Sequence, residues 1–441
     1  MTPKLSLFPV RLLRAVALGM GSAWSLAAGT FSDANWSALG SGMNNTVYAL
    51  AVSGTNVYAA GNFSSAVARW NGSSWSPLGS GLNGPVYALA VSGTNVYVGG
   101  SFSTAGGASA HNIAKWNGSS WSALGGGMGV SPYYYANVNA VAVAGTNVYA
   151  AGSFGTAGFS TVNNIAKWNG STWSALGSGT SGFSPSSDVL ALAVSGNNLY
   201  VGGDFTTAGS VTVNHIAKWD GNFWTALGSG MGSGNAISVY AFAVSGTSVY
   251  AGGLFTTAGD NGAGDIARWN GSSWSALSVG MSATNYYPSL HALAMSGSDL
   301  YAGGDFTKAG GNPASRIAKW NGTNWMALGS GMNGTVRALA VSGSDLYVGG
   351  SFTTAGGKPA AYIARAYLPD LPELSMICSG SEITVSWPSV DTSGFALEHA
   401  GSLTALASWS TNTASVTDDG TNKWVTLPAT NNSRFFRLRR P

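Results

Sequence analysis

The stretch Val86-Tyr-Ala-Leu-Ala-Val-Ser-Gly-Thr-Asn-Val-Tyr-Val-Gly-Gly-Ser-Phe102 decides the fold, because versions of it recur along the chain. Side chains alternate with period two on either side of Ser-Gly-Thr-Asn, so each copy predicts two antiparallel strands joined by a short turn. The copies begin at Val47, Val86, Val138, Val189, Val239, Leu290 and Val336. Repetition within one chain means that one structural unit is built seven times.

Two tryptophan motifs follow each copy in a fixed order. The first, Ile-Ala-Lys-Trp or a close variant, ends at Trp70, Trp116, Trp168, Trp219, Trp269 and Trp320, with a degenerate copy at 363–366. The second, Trp-x-x-Leu, begins at Trp36, Trp75, Trp121, Trp173, Trp224, Trp274 and Trp325. We interpret the motifs as strands C and D after strands A and B. Four short strands repeating every 39 to 52 residues predict a β-propeller.

The two ends of the repeat region complement each other. Residues 36–39 provide a strand D with no A, B or C before it, whereas residues 336–367 provide A, B and C with no D after them. One blade is therefore expected to contain strands from both ends of the region. The predicted fold is all-β: a seven-bladed propeller at 29–370, closed by its N-terminal strand, and a small C-terminal β-sandwich.

The repeats resemble known propeller families. Tyr-x-Gly-Gly at the end of strand B and Trp-x-x-Leu in strand D resemble kelch and galactose-oxidase-type propellers. Two motifs are more similar to the fungal cortical cell-polarity marker family and related secreted bacterial repeat proteins. They are Trp116-Asn-Gly-Ser-Ser-Trp-Ser-Ala-Leu-Gly125 and Gly349-Gly-Ser-Phe-Thr-Thr-Ala-Gly-Gly357. The resemblance covers about residues 31–367 and implies architecture rather than activity. Because the propeller region has no cysteine, the copper chemistry of galactose oxidase is not implied.

The net positive charge of the chain comes from its first 14 residues. The chain of 441 residues has 19 Lys and Arg against 16 Asp and Glu, and Lys4, Arg11 and Arg14 account for the formal charge of +3. The rest is neutral, which argues against nucleic acid or an anionic membrane as a partner. Three cations followed by the apolar stretch 15–26 predict a secretory signal peptide at 1–28, with a buried N-terminal helix as the alternative. We expect a secreted protein (extracellular, periplasmic or cell-surface) with no transmembrane segment.

The residues repeated in every blade have structural explanations. The tryptophans suit packing between blades better than stacking of sugars. The cation just before the strand C tryptophan, as at Lys115, suits a solvated head on the blade surface. Asn-Gly-Ser between strands C and D matches a glycosylation sequon. Asp220 replaces the Asn in one blade, so turn geometry explains the motif better, and Asn-Gly favours a type I′ hairpin.

Candidate catalytic residues are few. Residues 29–370 contain no Glu. Asp204 and Asp305 share one position, before the Phe that follows Gly-Gly, so they are the candidate acids or calcium ligands, with local turn hydrogen bonds as the alternative. His111, His215 and His291 are out of register with one another, so we predict neither a metal site nor a cofactor, and an enzyme is not the favoured interpretation.

The connections differ between the two faces of the predicted propeller. A–B and C–D turns are uniformly short, whereas B–C and D–A connections share the other face, the long-loop face, and vary in length. Aromatic residues on three of the variable loops suit recognition of a ligand, although they also suit covering of neighbouring blades. The candidate ligand-binding residues are Tyr133, Tyr134, Tyr135, Phe183, Tyr286, Tyr287, Asp204 and Asp305.

The composition changes after the repeats, at 371–441, where all three Glu lie. Short runs such as 382–387 and 423–427 predict the strands of a β-sandwich, and the segment loosely resembles fibronectin-type-III-like modules. The single cysteine, Cys378, suits a buried apolar position. The predicted function is non-catalytic binding of a protein or polysaccharide by a monomer. Two alternatives stay open: a carbohydrate-active enzyme that uses propeller Asp residues, and a structural or adhesive envelope component.

Overall fold

The computed structural model describes residues 13–14, 31–129, 136–182, 188–232, 237–284, 286–368, 374–379, 381–388, 396–400, 410–420, 422–428 and 435–439. The described residues are all-β apart from one 3-10 turn at Asp33–Asn35, which confirms the predicted fold class. The chain divides into two compact units, Ser32–Leu368 and Met1–Phe31 with Pro369–Pro441.

In the larger unit, the described residues form seven four-stranded antiparallel sheets. Strands A are Val47–Ser53, Val86–Ser92, Asn137–Ala144, Val189–Ser195, Ser238–Ser245, Ser289–Ser296 and Val336–Ser342. Strands B are Asn56–Gly61, Asn95–Gly100, Asn147–Ser153, Asn198–Gly203, Ser248–Leu254, Asp299–Asp305 and Asp345–Gly350. Strands C are Val67–Trp70, Ile113–Trp116, Ile165–Trp168, Ile216–Trp219, Ile266–Trp269, Ile317–Trp320 and Ile363–Tyr367. Strands D are Trp75–Pro77, Trp121–Ala123, Trp173–Ala175, Trp224–Ala226, Trp274–Ala276, Trp325–Ala327 and, in sheet 7, Trp36–Ala38.

The sheets are arranged in a closed cycle. Each strand A contacts the strands A of the sheets before and after it, and the first contacts the seventh, so the strands A surround one axis. Sheet 7 takes its outer strand from the start of the repeat region, because Trp36–Ala38 pairs with Ile363–Tyr367. The 3-10 turn before this strand is anchored as well, since the backbone N–H of Ser330 donates to Asp33 Oδ1 at 2.7 Å.

The tryptophans of strand D join neighbouring sheets. Each indole N–H donates to the backbone carbonyl of the leucine that follows strand D of the preceding sheet, at 2.7 to 3.1 Å. The donor and acceptor pairs are Trp36 to Leu328, Trp75 to Leu39, Trp121 to Leu78, Trp173 to Leu124, Trp224 to Leu176, Trp274 to Leu227 and Trp325 to Leu277. In sheets 1 to 6 the same tryptophan also contacts the strand C tryptophan, with ring centroids 5.2 to 5.6 Å apart. The tryptophans therefore pack the sheets together rather than forming free sugar platforms.

The turn between strands C and D differs from the prediction. In sheet 2, Gly118 has a φ of +104°, but Asn117 is not among the described residues with positive φ, so the type I′ prediction is wrong. Asn117 Oδ1 instead accepts the backbone N–H groups of Ser119 and Ser120, at 2.9 and 2.8 Å. Asp220 makes the equivalent pair of bonds in sheet 4, which explains why Asp replaces Asn there.

Short hairpins in the B–C connections were not predicted. They are Thr104–Ala105 with Ala108–Ser109, Thr156–Ala157 with Ser160–Thr161, Thr207–Ala208 with Val211–Thr212, Thr257–Ala258 with Asn261–Gly262, Lys308–Ala309 with Asn312–Pro313, and Thr354–Ala355 with Lys358–Pro359. In four sheets the first hairpin strand also pairs with a strand from the preceding D–A connection: Met128–Gly129, Thr180–Ser181, Met231–Gly232 or Met281–Ser282. These connections are therefore ordered by backbone pairing.

The smaller unit contains two antiparallel sheets. One consists of Thr417–Asp418, Asn422–Pro428, Glu382–Pro388 and Ser375–Ser379, and the other of Leu13–Arg14, Phe435–Arg439, Ala396–Ala400 and Ser410–Thr411. Both sheets contribute to one core, which includes Val385, Trp387, Leu397 and Phe436. Leu13–Arg14 lies within the predicted signal peptide and pairs with Phe435 and Phe436. Cleavage after residue 28 stays a prediction, and the side chain of Cys378 lies outside the described part of the chain.

Removing the closing strand should destabilise the propeller. We expect a chain lacking residues 1–40 to melt about 10 °C below a chain lacking residues 1–30, because strand C of sheet 7 loses its partner and the buried Trp36 is lost. Differential scanning fluorimetry of the two truncations measures the difference. Equal melting temperatures would show that strand D of sheet 7 is dispensable.

Candidate functional site

In every sheet, the strand A residue that follows the first Val or Leu of the repeat is displaced from the ladder. The register between strands A and B shifts at this residue, as between Val47 and Ala49 in sheet 1. Such β-bulges turn a side chain away from the regular alternation. The seven bulged residues, which we call the axial ring, are Tyr48, Tyr87, Asn139, Leu190, Tyr240, His291 and Arg337.

Side chains of the axial ring touch across sheet boundaries. The rings of Tyr48 and Tyr87 meet edge to face with centroids 5.5 Å apart, and those of Tyr240 and His291 lie 5.2 Å apart. The guanidinium carbon of Arg337 lies 5.6 Å from the centroid of Tyr48, a cation–π distance. Because strands A surround the axis and the bulge is near their first residue, the ring lies at the end of the axis on the long-loop face.

The composition of the axial ring contrasts with its surroundings. In all seven copies, the residue before the ring position is Val or Leu and the residue after it is Ala. The preceding Val or Leu is fully buried in every copy. The ring position itself carries Tyr three times and Asn, Leu, His and Arg once each. All seven side chains are partly exposed. Variation at this exposed position of a strict repeat indicates that packing does not fix these residues.

A polar cluster extends the axial ring at sheet 6. The Tyr286 hydroxyl donates to Asp305 Oδ1 at 3.3 Å, and Arg316 Nε lies 3.4 Å from the same oxygen. In the same sheet, Ser289 Oγ and His291 Nε2 are 3.0 Å apart. Burial, with the nearby Arg337 charge, lowers the pKa of His291 to about 4, so its ring is neutral at pH 7. The cluster thus offers one acid, one guanidinium and a neutral imidazole beside the tyrosines.

Asp204 belongs to a different cluster, at sheet 4. Burial, and then repulsion from Asp188, raises the pKa of Asp204 to about 6. Burial also raises the pKa of Asp188 and lowers that of His215, which precedes strand C. Two carboxyl groups that interact in this way hold one proton more strongly than either would alone.

The structure brings together only part of the predicted site. Tyr286 and Asp305 are hydrogen-bonded, and Tyr287 is 88% exposed nearby in sequence. Asp204 lies in sheet 4 and Asp305 in sheet 6, each with its own partners, so the structure provides no evidence for a shared two-carboxylate site. Tyr133, Tyr134, Tyr135 and Phe183 lie outside the described residues.

The axial ring was missed from the sequence. Its signal is the one position in the repeated Val-x-Ala-Leu-Ala-Val that changes between apolar, polar and charged residues. Regular alternation does not reveal the direction of this side chain, because of the bulge. Within the described residues, no group of three or more His, Cys, Asp or Glu could hold a metal ion. In the same part of the chain, no helix is long and apolar enough to cross a membrane.

The residue before strand C has a left-handed backbone in all seven sheets. These residues are Ala66, Asn112, Asn164, His215, Asp265, Arg316 and Tyr362, with φ from 58° to 65°. Asn112 suits this conformation, because its Oδ1 accepts the N–H of Phe102 and its Nδ2 donates to the Met128 carbonyl. Asp265 accepts the N–H of Phe255 at 3.0 Å but has no amide to donate, and burial raises its pKa to about 7.

Comparisons with known proteins identify the fold. No family model and no curated protein matches the chain. The extracellular domain of the putative one component system BT4673 from B. thetaiotaomicron is 11% identical, with a TM-score of 0.50 over 79% of this chain and 45% of that chain. This chain therefore spans less than half the length of that domain.

Two further solved structures match with lower scores. YCF48 bound to D1 peptide is 13% identical, with a TM-score of 0.48 over 79% of this chain and 99% of that chain. The computationally designed Ika8 protein is 17% identical, with a TM-score of 0.42 over 74% and 98%. With the repeated four-stranded sheets, the similarity to the BT4673 domain shows a β-propeller-like fold, and it shows the fold alone.

Replacing Asp265 with Asn should remove a pH dependence of stability. The folded-state pKa of about 7 lies above the ordinary value of 3.8 for Asp, so the folded state binds the proton more tightly. Stability therefore falls as the pH rises from about 4 through 7. We expect Asp265→Asn to raise the free energy of unfolding at pH 8 by about 2 kcal/mol and to change it little at pH 4.

The matched control is the reverse change at the equivalent position of sheet 2. Asn112→Asp should introduce the same fall in stability between pH 4 and 8. Urea denaturation of both variants and the wild type at the two pH values provides the measurement. A wild type whose stability does not change across this range would contradict the raised pKa of Asp265.

Proposed function

We propose that this chain is an exported, non-catalytic, seven-bladed β-propeller that binds a protein or polysaccharide partner through its long-loop face. The observation that carries the proposal is the axial ring, where the variable position of a strict repeat places partly exposed side chains around one axis. The kelch-like character of the repeats and the fibronectin-type-III-like character of residues 371–441 belong to the same proposal.

The chemistry of the ring favours binding through shape and aromatic contact. Tyrosines provide rigid contact area and hydroxyl groups at low cost in conformational entropy. Arg337 adds a cation held by the Tyr48 ring and by Ser351 Oγ at 3.4 Å. The neutral His291 adds a polar ring without a second charge. A partner with flat apolar faces and hydrogen-bonding groups fits this surface better than a strongly charged one.

A non-catalytic role is supported by the positions of the acids. Retaining and inverting glycosidases place two carboxyl groups about 5 to 9.5 Å apart across one bond. Asp305 contacts Tyr286 and Arg316, whereas Asp204 interacts with Asp188. Their separate partners favour local structural roles, and a carbohydrate-active enzyme is therefore not the preferred function. Export is inferred from the basic and apolar character of residues 1–28.

The axial ring can be tested by removing its aromatic rings. We expect Tyr48→Ser/Tyr87→Ser/Tyr240→Ser to lower affinity at least about tenfold for a partner found on a glycan array or in a pull-down from the cell envelope. The melting temperature should change by only a few degrees, because these side chains are partly exposed. Surface plasmon resonance and thermal melts measure the two effects.

Phe223→Ser is the matched control, since Phe223 is 72% exposed in a C–D turn on the opposite face. Its affinity should equal that of the wild type. Equal affinity of the triple variant and the wild type would exclude the axial ring as the binding site. Turnover of a polysaccharide in place of simple binding would contradict the non-catalytic proposal.

A further inference from the structure

The B–C connection of sheet 1 is shorter than the other six. In sheets 2 to 7, nine residues separate the Phe after strand B from the left-handed residue before strand C. In sheet 1 only Ser64 and Ser65 lie between Phe63 and Ala66. The nine-residue connections contain the hairpins described above, and the described residues of sheet 1 have no such hairpin.

The six hairpins show which groups pack against the preceding D–A connection at this position of the long-loop face. Each contains an alanine that is at most 2% exposed, followed by a glycine whose N–H donates to a glycine carbonyl in the preceding D–A connection, at 2.7 to 2.9 Å. The donor and acceptor pairs are Gly106 to Gly81, Gly158 to Gly127, Gly209 to Gly179, Gly259 to Gly230, Gly310 to Gly280 and Gly356 to Gly331. In all six sheets the hairpin tip is thus held by this backbone hydrogen bond and one small buried side chain, and in four of them strand pairing adds to these contacts.

The donor glycine also covers the strand D tryptophan. Gly310 has a φ of +58°, which side chains rarely adopt, and a Cβ atom there would lie 3.0 Å from Trp325 Cδ1, so the indole would have to shift. The second hairpin strand contacts strand D too: Lys358 Nζ donates to the Trp36 carbonyl at 2.8 Å, and Ser160 Oγ donates to the Trp173 carbonyl at 2.9 Å. The indole face and the backbone beside it therefore select a turn without a side chain.

Sheet 1 keeps the receiving groups. Gly42 corresponds to the acceptor glycines, and among the described residues no backbone N–H donates to its carbonyl. Trp75 corresponds to the covered tryptophans. Both line a cavity of about 240 Å³ together with Met43, Ser64 and other neighbours, which we call the sheet 1 notch. One wall is fixed, because the Ser64 N–H donates to Asn44 Oδ1 at 3.1 Å.

We propose that the sheet 1 notch binds a Thr-Ala-Gly turn of a partner polypeptide. The glycine N–H of the turn would donate to the Gly42 carbonyl, its Cα would lie on the Trp75 indole, and the alanine would fill the cavity. A second copy of this chain is not the occupant, since its six hairpins are seated on their own sheets. A sugar fits less well, because the Trp75 indole N–H is already donated to the Leu39 carbonyl.

The probe is a labelled cyclic peptide with the sequence of residues 353–360, Thr-Thr-Ala-Gly-Gly-Lys-Pro-Ala. We expect saturable binding to the full chain by fluorescence anisotropy. Ser64→Trp, at an exposed edge of the notch, should weaken binding about tenfold or more. Ser73→Trp, exposed in the C–D turn on the opposite face of the same sheet, is the matched control and should bind like the wild type. A peptide carrying Gly356→Val should not bind.

A second variant fills the sheet 1 notch with a hairpin from the chain itself. Replacing Ser64 and Ser65 with residues 353–361 should abolish peptide binding and should maintain or raise the melting temperature. The proposal is overturned if the wild type does not bind the peptide, if Ser64→Trp and the grafted chain bind it as the wild type does, or if simple sugars bind the notch and the peptide does not. The triple axial-ring variant should still bind the peptide, so failure of the proposed function and failure of this proposal are distinguishable.

Discussion

The hydrogen bond from the strand D indole to the leucine carbonyl of the preceding sheet is the interaction on which the rest of the larger unit depends. It occurs once at each of the seven sheet boundaries, because every Trp-x-x-Leu motif contains one donor, its Trp, and one acceptor, its Leu. Each motif therefore accepts a hydrogen bond from the tryptophan of the next sheet and donates one to the leucine carbonyl of the preceding sheet. Each bond contributes about 1 kcal/mol, but it also buries a large indole, which contributes more. A repeat held in this way has a complete set of bonds only when the cycle closes.

Because strand packing closes the cycle of sheets, the residues on the long-loop face can differ from one sheet to the next. Packing of strands A to D fixes nearly every position of the repeat, whereas the axial ring, the residue before strand C and the B–C hairpins vary in chemistry. His215 and Arg316 occupy one left-handed position, yet burial lowers the pKa of His215 whereas Arg316 contacts Asp305. A constant scaffold with variable groups on one face is a general arrangement for recognition, because the scaffold holds loop residues in place.

The order of strands and the closing strand could be predicted, because period-two alternation and Trp-x-x-Leu report packing that the repeat makes seven times. Other features could not. The turn type was wrong because the Asn117 side chain satisfies the backbone, which a dipeptide rule does not consider. The axial ring was missed because a bulge changes the direction of a side chain without changing the residue pattern. Asp204 and Asp305 share a repeat position, but equivalence in a repeat places residues in different blades rather than together.

The short connection of sheet 1 shows how a strict repeat acquires a specific site. Six sheets cover the strand D tryptophan and satisfy a glycine carbonyl with a hairpin from their own chain. Sheet 1 retains Gly42 and Trp75 without that hairpin, so it gives up the burial and the hydrogen bond that the hairpin would supply. Both walls of the notch are nevertheless held: the Met43 N–H in the preceding D–A connection donates to the Ala361 carbonyl, and the Ser64 N–H in the B–C connection donates to Asn44 Oδ1. A local loss of stability that the surroundings tolerate is characteristic of a functional site. The uncovered surface of sheet 1 fits a partner that supplies a turn like the hairpin of the other six sheets.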